Sequence, residues 1–472
     1  MRAFRLLGVT AAVGVAALVI PAPRPLTAAG ETVGVWLTTG DRSQLLAPQP
    51  SLTFAPDTPS RRYLTIDVDE TITYQQVQGF GGSLTDSAAW LIANALAPAG
   101  RDALMSSLFD PAAGIGLSLL RQPIGASDFA LAHYTYDDTC CDLSDFSVEH
   151  DRAYILPLLR QALTLNPALR VMGSPWSAPA WMKDSGSLYG GKLLPQDYGL
   201  YADYFVKYVT AYQAEGVPIS FVTLQNEPHY EPPDYPGMRW EATEEADFVK
   251  NDLGPAFAAN GIGTRIVVWD HNWDEPGYPI TVLDDPAAKA YVDGSAFHCY
   301  GGSVDAQTQV HDAHPDRNVY FSECTSGAWS SNWANNLVWD FQNILIGNFR
   351  NWGVSTTKFN LALDQNYGPH TGGCTNCTGI ATIDTTNGSV SYNHDFYTLG
   401  HFSKFVAPGA VRIDSDQFDR RGIYDVSFKN PDGSRVVVVL NAGHASTPFK
   451  VRWAGQSILY RLPAQSAATF KW

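Results

Sequence analysis

Eight short apolar runs, each ending in a polar loop and followed by a helical stretch, occupy the middle of the chain and constrain its fold more than any other feature. They lie near Val77–Phe80, Gly116–Leu120, Arg170–Gly173, Phe221–Leu224, Arg265–Trp269, Ala296–Tyr300, Val319–Ser322 and Phe359–Leu363. Amphipathic segments such as Arg152–Leu165, Tyr198–Glu215 and Thr243–Ala259 separate them. A strand that is apolar along its whole length is buried on both faces, the condition of a parallel sheet covered by helices. Eight such units in roughly 300 residues predict a closed (β/α)8 TIM barrel.

The ends of the chain read differently. From about Ala410, alternating segments (Ile423–Phe428, Arg435–Leu440, Phe449–Trp453, Ser457–Leu462, Ala467–Trp472) are separated by turns such as Pro431-Asp432-Gly433 and predict a small antiparallel β-sandwich. The segment 31–75 is also strand-like and is expected to pair with that domain, bringing the two chain ends together. The predicted order is a signal peptide over 1–29, N-terminal sandwich strands over 30–75, a catalytic barrel over 76–405 and the C-terminal sandwich over 406–472. The first segment is assigned from Arg2 and Arg5, an apolar run from Leu6 to Ile20 too short to span a bilayer, and the small residues Ala28, Ala29 and Gly30. Export follows, with no membrane anchor and no obligate protein partner evident.

Charge then excludes partners. A net charge of −16 gives no basic face for nucleic acid or anionic lipid. Aromatic residues at 12% are abundant and charged residues at 17% are few, a composition suited to neutral, ring-shaped ligands such as sugars.

An oxidising compartment gives the six cysteines meaning. Cys374 and Cys377 sit between glycines and are expected to close a short disulfide loop. Cys140 and Cys141 are adjacent and could bond only through a strained eight-membered ring. Cys299 and Cys324 lie within strand-like runs and read as buried thiols acting as small apolar residues.

In such barrels chemistry gathers at the carboxyl ends of the strands. The fourth run ends in Gln225-Asn226-Glu227-Pro228 and the seventh in Ser322-Glu323-Cys324, so two glutamates face one mouth. Strands four and seven lie across the pore, and their carboxyls are expected to approach to ~5 Å, the spacing of a retaining glycosidase pair. One must carry a proton through a raised pKa; the other must stay ionised beside a donor such as Arg121.

At these positions the chain resembles glycoside hydrolase family 30, which includes glucosylceramidases and β-1,6-glucanases. The resemblance runs through Gln78-Gly79-Phe80-Gly81-Gly82-Ser83-Leu84-Thr85-Asp86, the stretch from Leu120 to Phe129, Ser174-Pro175-Trp176-Ser177-Ala178-Pro179, Asn226-Glu227-Pro228, His298-Cys299-Tyr300, Ser322-Glu323, Asn360-Leu361-Ala362-Leu363-Asp364 and the stretch from Phe396 to Phe405. It implies a cofactor-free retaining β-glycosidase with Glu227 as acid/base and Glu323 as nucleophile. By the same matching Arg121, Asp128, Trp176, Asn226, His298 and Tyr300 line the sugar subsite, with Asn226 on the 2-hydroxyl. Glucosylceramidases usually carry Trp where this chain has Phe359, so one aromatic wall is expected to differ. The implied substrate is a carbohydrate or glycoconjugate: a β-1,6-glucan or a glucosylceramide-type glucoside. A β-xylosidase or other β-glycosidase of the family, or a catalytically silent carbohydrate-binding barrel, are the alternatives.

Remaining motifs read as structure. The stretch Gly186–Leu193 nearly matches a phosphate-binding loop but ends in Leu193 where a hydroxyl must meet magnesium, and is expected to be a glycine-rich active-site loop near Trp176 and Trp181. His311-Asp312-Ala313-His314 lacks a third metal ligand and reads as solvated. Trp329, Trp333, Trp339 and Trp352 read as helix-packing residues except where they reach the barrel mouth.

Overall fold

The computed structural model describes residues 30–416 and 422–472, so the predicted signal peptide lies outside the described residues. Eight parallel strands form the barrel: Gly79–Ser83, Leu119–Pro123, Arg170–Ser174, Phe221–Thr223, Arg265–Asn272, Val292–His298, Asn318–Glu323 and Ser355–Lys358. The eighth pairs with the first, and a parallel bridge between Val319 and Gly353 closes the ring.

The period of two along each strand explains why the runs are apolar on both faces. Leu119, Met172, Phe221, Val267, Ala296, Tyr320 and Val354 fill the barrel interior. Their neighbours Leu120, Val171, Val222, Ile266, Val268, Phe297, Val319 and Phe321 join the larger core that contains the surrounding helices.

One strand expectation is corrected. Phe359–Leu363 is not the eighth barrel strand; Ser355–Lys358 is, and Ala362–Asp364 instead joins a separate three-stranded sheet with Ala381–Asp384 and Ser389–Tyr392. The true strand, Ser355-Thr356-Thr357-Lys358, is polar but wholly buried. All but the Thr357 hydroxyl of its polar side chains are paired: the Asn348 amide donates to Ser355 O at 2.7 Å and Thr356 Oγ1 at 2.9 Å, Ser355 Oγ accepts from Phe321 N at 3.1 Å, and Lys358 Nζ lies 2.8 Å from Asp340 and 2.7 Å from Asp395.

The second domain is a ten-stranded sheet in which the first described strand, Thr32–Thr39, pairs antiparallel with the last, Ser466–Lys471. The first and last described strands therefore lie side by side. One parallel pairing, Thr447–Trp453 on Leu64–Gln76, interrupts the antiparallel order, and a strand at Val411–Ser415 joins the strands expected from the pattern. Among the described residues no helix is long and apolar enough to cross a membrane.

Candidate active site

The interior pattern continues toward the carboxyl ends of the strands, but with polar residues. Two positions beyond Leu119, Met172, Phe221, Ala296 and Tyr320 come Arg121, Ser174, Thr223, His298 and Ser322, all fully buried. They surround Asp270. Asp270 reaches this layer through a bulge: opposite it, Ala296 pairs with Trp269 and Phe297 with His271, leaving one extra residue. Trp269 and Asp270 both adopt left-handed backbone, φ 74° and 62°. Asp270 Oδ2 accepts from Arg121 Nη2, Ser174 Oγ and Thr223 Oγ1, each at 2.7 Å, and Oδ1 accepts from Ser322 Oγ at 2.5 Å. Burial opposes its charge, but Arg121 and His298 more than offset that and hold the carboxyl well below the usual carboxylate range.

The two glutamates sit directly above this layer. Glu227 has φ 50°, and its N–H donates to Asp270 O at 3.0 Å, so the strained turn is tied to the bulge. Its Oε1 lies 2.9 Å from His298 Nδ1. Glu323 follows a second bulge, where His298 pairs with Glu323 and Ser322 is the extra residue. Arg121 Nη1 donates to Glu323 Oε2, and Tyr300 Oη donates to Oε1 at 2.9 Å. One oxygen of Glu227 and one of Glu323 lie within 4.8 Å of each other, and His298 Nδ1, 2.9 Å from Glu227, is 4.0 Å from Glu323 Oε1.

The electrostatics of the cleft follow from these contacts. Burial raises the Glu227 carboxyl, but the His298 hydrogen bond and charge outweigh it and the net direction is down. Glu323 moves up, through burial and the charge of Glu227, against the pull of His298 and Arg121. His298 is depressed by burial, yet the charge of Glu323 and the contacts to Asp270 and Glu227 push it up to about 9. Asp128 is driven well above the carboxylate range by burial first and by Glu323 second, and its Oδ1 has no partner.

A cleft of about 390 Å3 opens over the pair. Asp128, Trp176, Asn226, Glu227, Tyr300 and Glu323 all line it, while Arg121 and His298 lie beneath. The Arg121 guanidinium sits 4.8 Å from the Trp176 ring and donates to Asn226 Oδ1 at 2.7 Å, which turns the Asn226 amide nitrogen toward the cleft. Phe359 stacks on Trp176 with ring centroids 5.8 Å apart and lines the cleft beside it. The residues missed from sequence are Asp270, His271, Asn272, Tyr230 and Tyr235. The first three directly follow the recognised run Arg265–Trp269, and their polarity at a strand's carboxyl end was the available signal.

Three further expectations change. Cys299 and Cys324 are not free thiols; they are bonded to each other, because strands six and seven bring their Cα atoms to 5.4 Å. Cys374–Cys377 and Cys140–Cys141 are also bonded. The stretch Gly186–Leu193 contributes nothing to the cleft lining and instead packs on the segment that carries Tyr235, with Gly237 N–H donating to Leu188 O at 2.9 Å. His314 is buried and His311 stacks on Trp352 at 3.6 Å, so this pair is a packing element rather than a solvated one.

Residues 77–406 match the family model of the glycosyl hydrolase family 30 TIM-barrel domain, and residues 409–470 that of the family's beta sandwich domain. The chain belongs to glycosyl hydrolase family 30. It is 37% identical over 413 residues to an endo-1,6-β-D-glucanase of Neurospora crassa, covering 82% of this chain and 83% of that one. A lysosomal acid glucosylceramidase of Mus musculus is 31% identical over 84% of this chain and 81% of its own. The solved structure of an endo-β-1,6-glucanase superposes with a TM-score of 0.89 at 33% identity, covering 93% of this chain and 99% of that one. This family 30 chain is a glycoside hydrolase, and carbohydrate is its substrate.

Proposed function

We propose that this glycoside hydrolase cleaves β-glucosidic bonds with net retention, in an exported setting, with β-1,6-linked glucan as the substrate class. The observation that carries the reading is the carboxylate pair of Glu227 and Glu323, with oxygens within 4.8 Å. That spacing leaves no room for a water between the second carboxylate and the anomeric carbon, so direct displacement is disfavoured and a covalent intermediate is favoured. The relatives named endo-1,6-β-D-glucanase, at 37%, 35% and 32% identity, support glucan over a glucosylceramide-type glucoside.

In this reading Glu323 attacks the anomeric carbon while Glu227 gives its proton to the departing oxygen. Arg121 and Tyr300 donate to Glu323 and keep it oriented. Asn226 offers its amide N–H to the 2-hydroxyl, and the unpartnered Asp128 Oδ1 takes another hydroxyl of the same ring. Trp176 packs on the sugar face. His298 holds the Glu227 carboxyl low, and the proton that Glu227 gives to the leaving oxygen comes from His298 Nδ1, 2.9 Å from Glu227 Oε1. His298 is then neutral, retaining its Nε2–H toward Asp270. After glycosylation Glu227 is the base that takes a proton from water, and water attacks the same face.

Azide rescue tests the assignment. Glu323→Gly is expected to be inactive on all β-glucosides and to form an α-glycosyl azide from an activated substrate. Glu227→Ala is expected to form the β-azide from a dinitrophenyl β-glucoside. Exchanged configurations would reverse the roles, and an α-sugar as the first product of the unaltered enzyme would rule out retention.

A further inference from the structure

A second cavity, of about 440 Å3, lies beside the cleft and shares Tyr300, Thr325 and Trp329 with it. It opens between the loop after strand six and the helix Trp333–Asp340. Two large aromatic rings stand in it uncovered: Trp329 is 57% exposed and Trp339 43%. Among the described residues no other tryptophan is exposed, and Trp240 and Trp269 are buried completely. Neither Trp329 nor Trp339 has a protein partner for its indole N–H among the described residues, and nor does the Asn335 amide nitrogen beside them. The floor is polar and buried, formed by His394 and Asp340, with His394 Nε2 3.1 Å from Ser326 Oγ.

The position of Trp329 is built into the local backbone. Ser326–Gly327 pairs with Cys377–Thr378, and Ala328 N–H donates to Asn376 O at 2.8 Å. The indole then folds back over Gly327, where a Cβ would collide with the ring. A glycine here therefore permits the ring to stand between the two cavities.

Direction follows from strand order. Asp128 follows strand two and Tyr300 follows strand six, on opposite sides of an eight-stranded ring. In the reading above Asp128 and Trp176 hold the reacting sugar and Tyr300 orients Glu323 beneath it, which leaves the space beyond Tyr300, opposite Asp128, for the leaving group. Flat aromatic faces with free N–H donors and a polar floor match the C–H faces and hydroxyls of a pyranose.

We propose that this second cavity is a subsite for glucosyl units of the leaving-group chain, with Trp329 and Trp339 as platforms; this rests on the glucan reading above. The enzyme then grips a polymer beyond the bond it breaks, which suits cleavage within a chain rather than at its end.

The test is the chain-length dependence of kcat/KM on β-1,6-gluco-oligosaccharides of two to six units, in the unaltered enzyme, Trp339→Ala and Gly327→Ala. Catalytic efficiency should rise with length in the unaltered enzyme. In Trp339→Ala the ratio of long-chain to disaccharide efficiency should fall by about tenfold, the loss of one stacked ring, and Gly327→Ala should lower it by displacing Trp329. Equal efficiency at every length, or ratios unmoved in both variants, would overturn the subsite while leaving the glucan reading intact. Turnover of an aryl β-glucoside with no cleavage of any β-1,6-oligosaccharide would overturn both.

Discussion

His298 Nε2 lies 3.0 Å from Asp270 Oδ1, and both side chains are completely buried. This contact fixes the imidazole so that its other nitrogen faces Glu227. It also supplies one of the negative partners that raise His298 to about 9. Asp270→Asn removes that charge without changing the shape of the side chain. The expected result is a fall of about 100-fold in kcat/KM on an aryl β-glucoside. Because the lost partner stabilised the protonated ring, the alkaline limb of the pH profile should move to lower pH. A limb that stays in place would exclude this role for Asp270.

The Cys299–Cys324 bond joins strands six and seven beside Tyr300 and Glu323. Closing a loop between positions 25 residues apart restricts the unfolded chain, worth about 3 kcal/mol in the chain-entropy account. The double variant Cys299→Ser, Cys324→Ser should lose about that much stability in denaturant unfolding. Its kcat should fall too, since the donor and acceptor of the Tyr300–Glu323 contact each adjoin one half of the bond. Unchanged kcat with reduced stability would show that the bond serves the fold alone.

Arg350 clamps the barrel to the second domain. It donates to Asp425 Oδ2 and Ser415 Oγ at 2.9 Å and to the carbonyls of Asp425, Ser415 and Asp416 at 2.8–3.0 Å. Burial pushes Asp425 up to about 6 against the pull of Arg350. A raised carboxyl costs stability as pH rises through its folded pKa. Arg350→Ala should therefore cost about 3–5 kcal/mol at pH 8, where Asp425 is charged and alone, and visibly less at pH 5, where it takes up a proton. Thermal unfolding at the two pH values measures the difference.

His401 bridges the same two domains, with Nδ1 2.8 Å from Thr469 Oγ1 and Nε2 2.8 Å from Thr38 Oγ1. Burial pushes it down to about 3. The unfolded ring titrates near 6.5, so its contribution to stability is complete above that pH and is lost as pH falls toward 3, at about 1.4 kcal/mol per unit. His401→Gln should flatten the pH dependence of unfolding by about 2 kcal/mol between pH 7 and pH 5. An unaltered slope would mean that other groups dominate acid unfolding.

What the sequence determined by itself is whatever is written locally. Near-continuous apolar runs alternating with amphipathic helices require a doubly covered parallel sheet, and Glu227 and Glu323 stand at the ends of two such runs. Resemblance over separate short motifs added Arg121, Asp128, Trp176, Asn226, His298 and Tyr300. What tertiary structure decided depends on partners distant in the chain. Strand eight is polar and is held as a strand by Asn348, Asp340 and Asp395, which pair with Ser355, Thr356 and Lys358. Cys299 meets Cys324 because adjacent parallel strands set their Cα atoms 5.4 Å apart. Asp270 sits at the centre of the site because two left-handed residues insert a bulge into strand five. A pattern with period two reads a face; an extra residue shifts everything beyond it by one position, and only the pairing with the neighbouring strand reveals the shift.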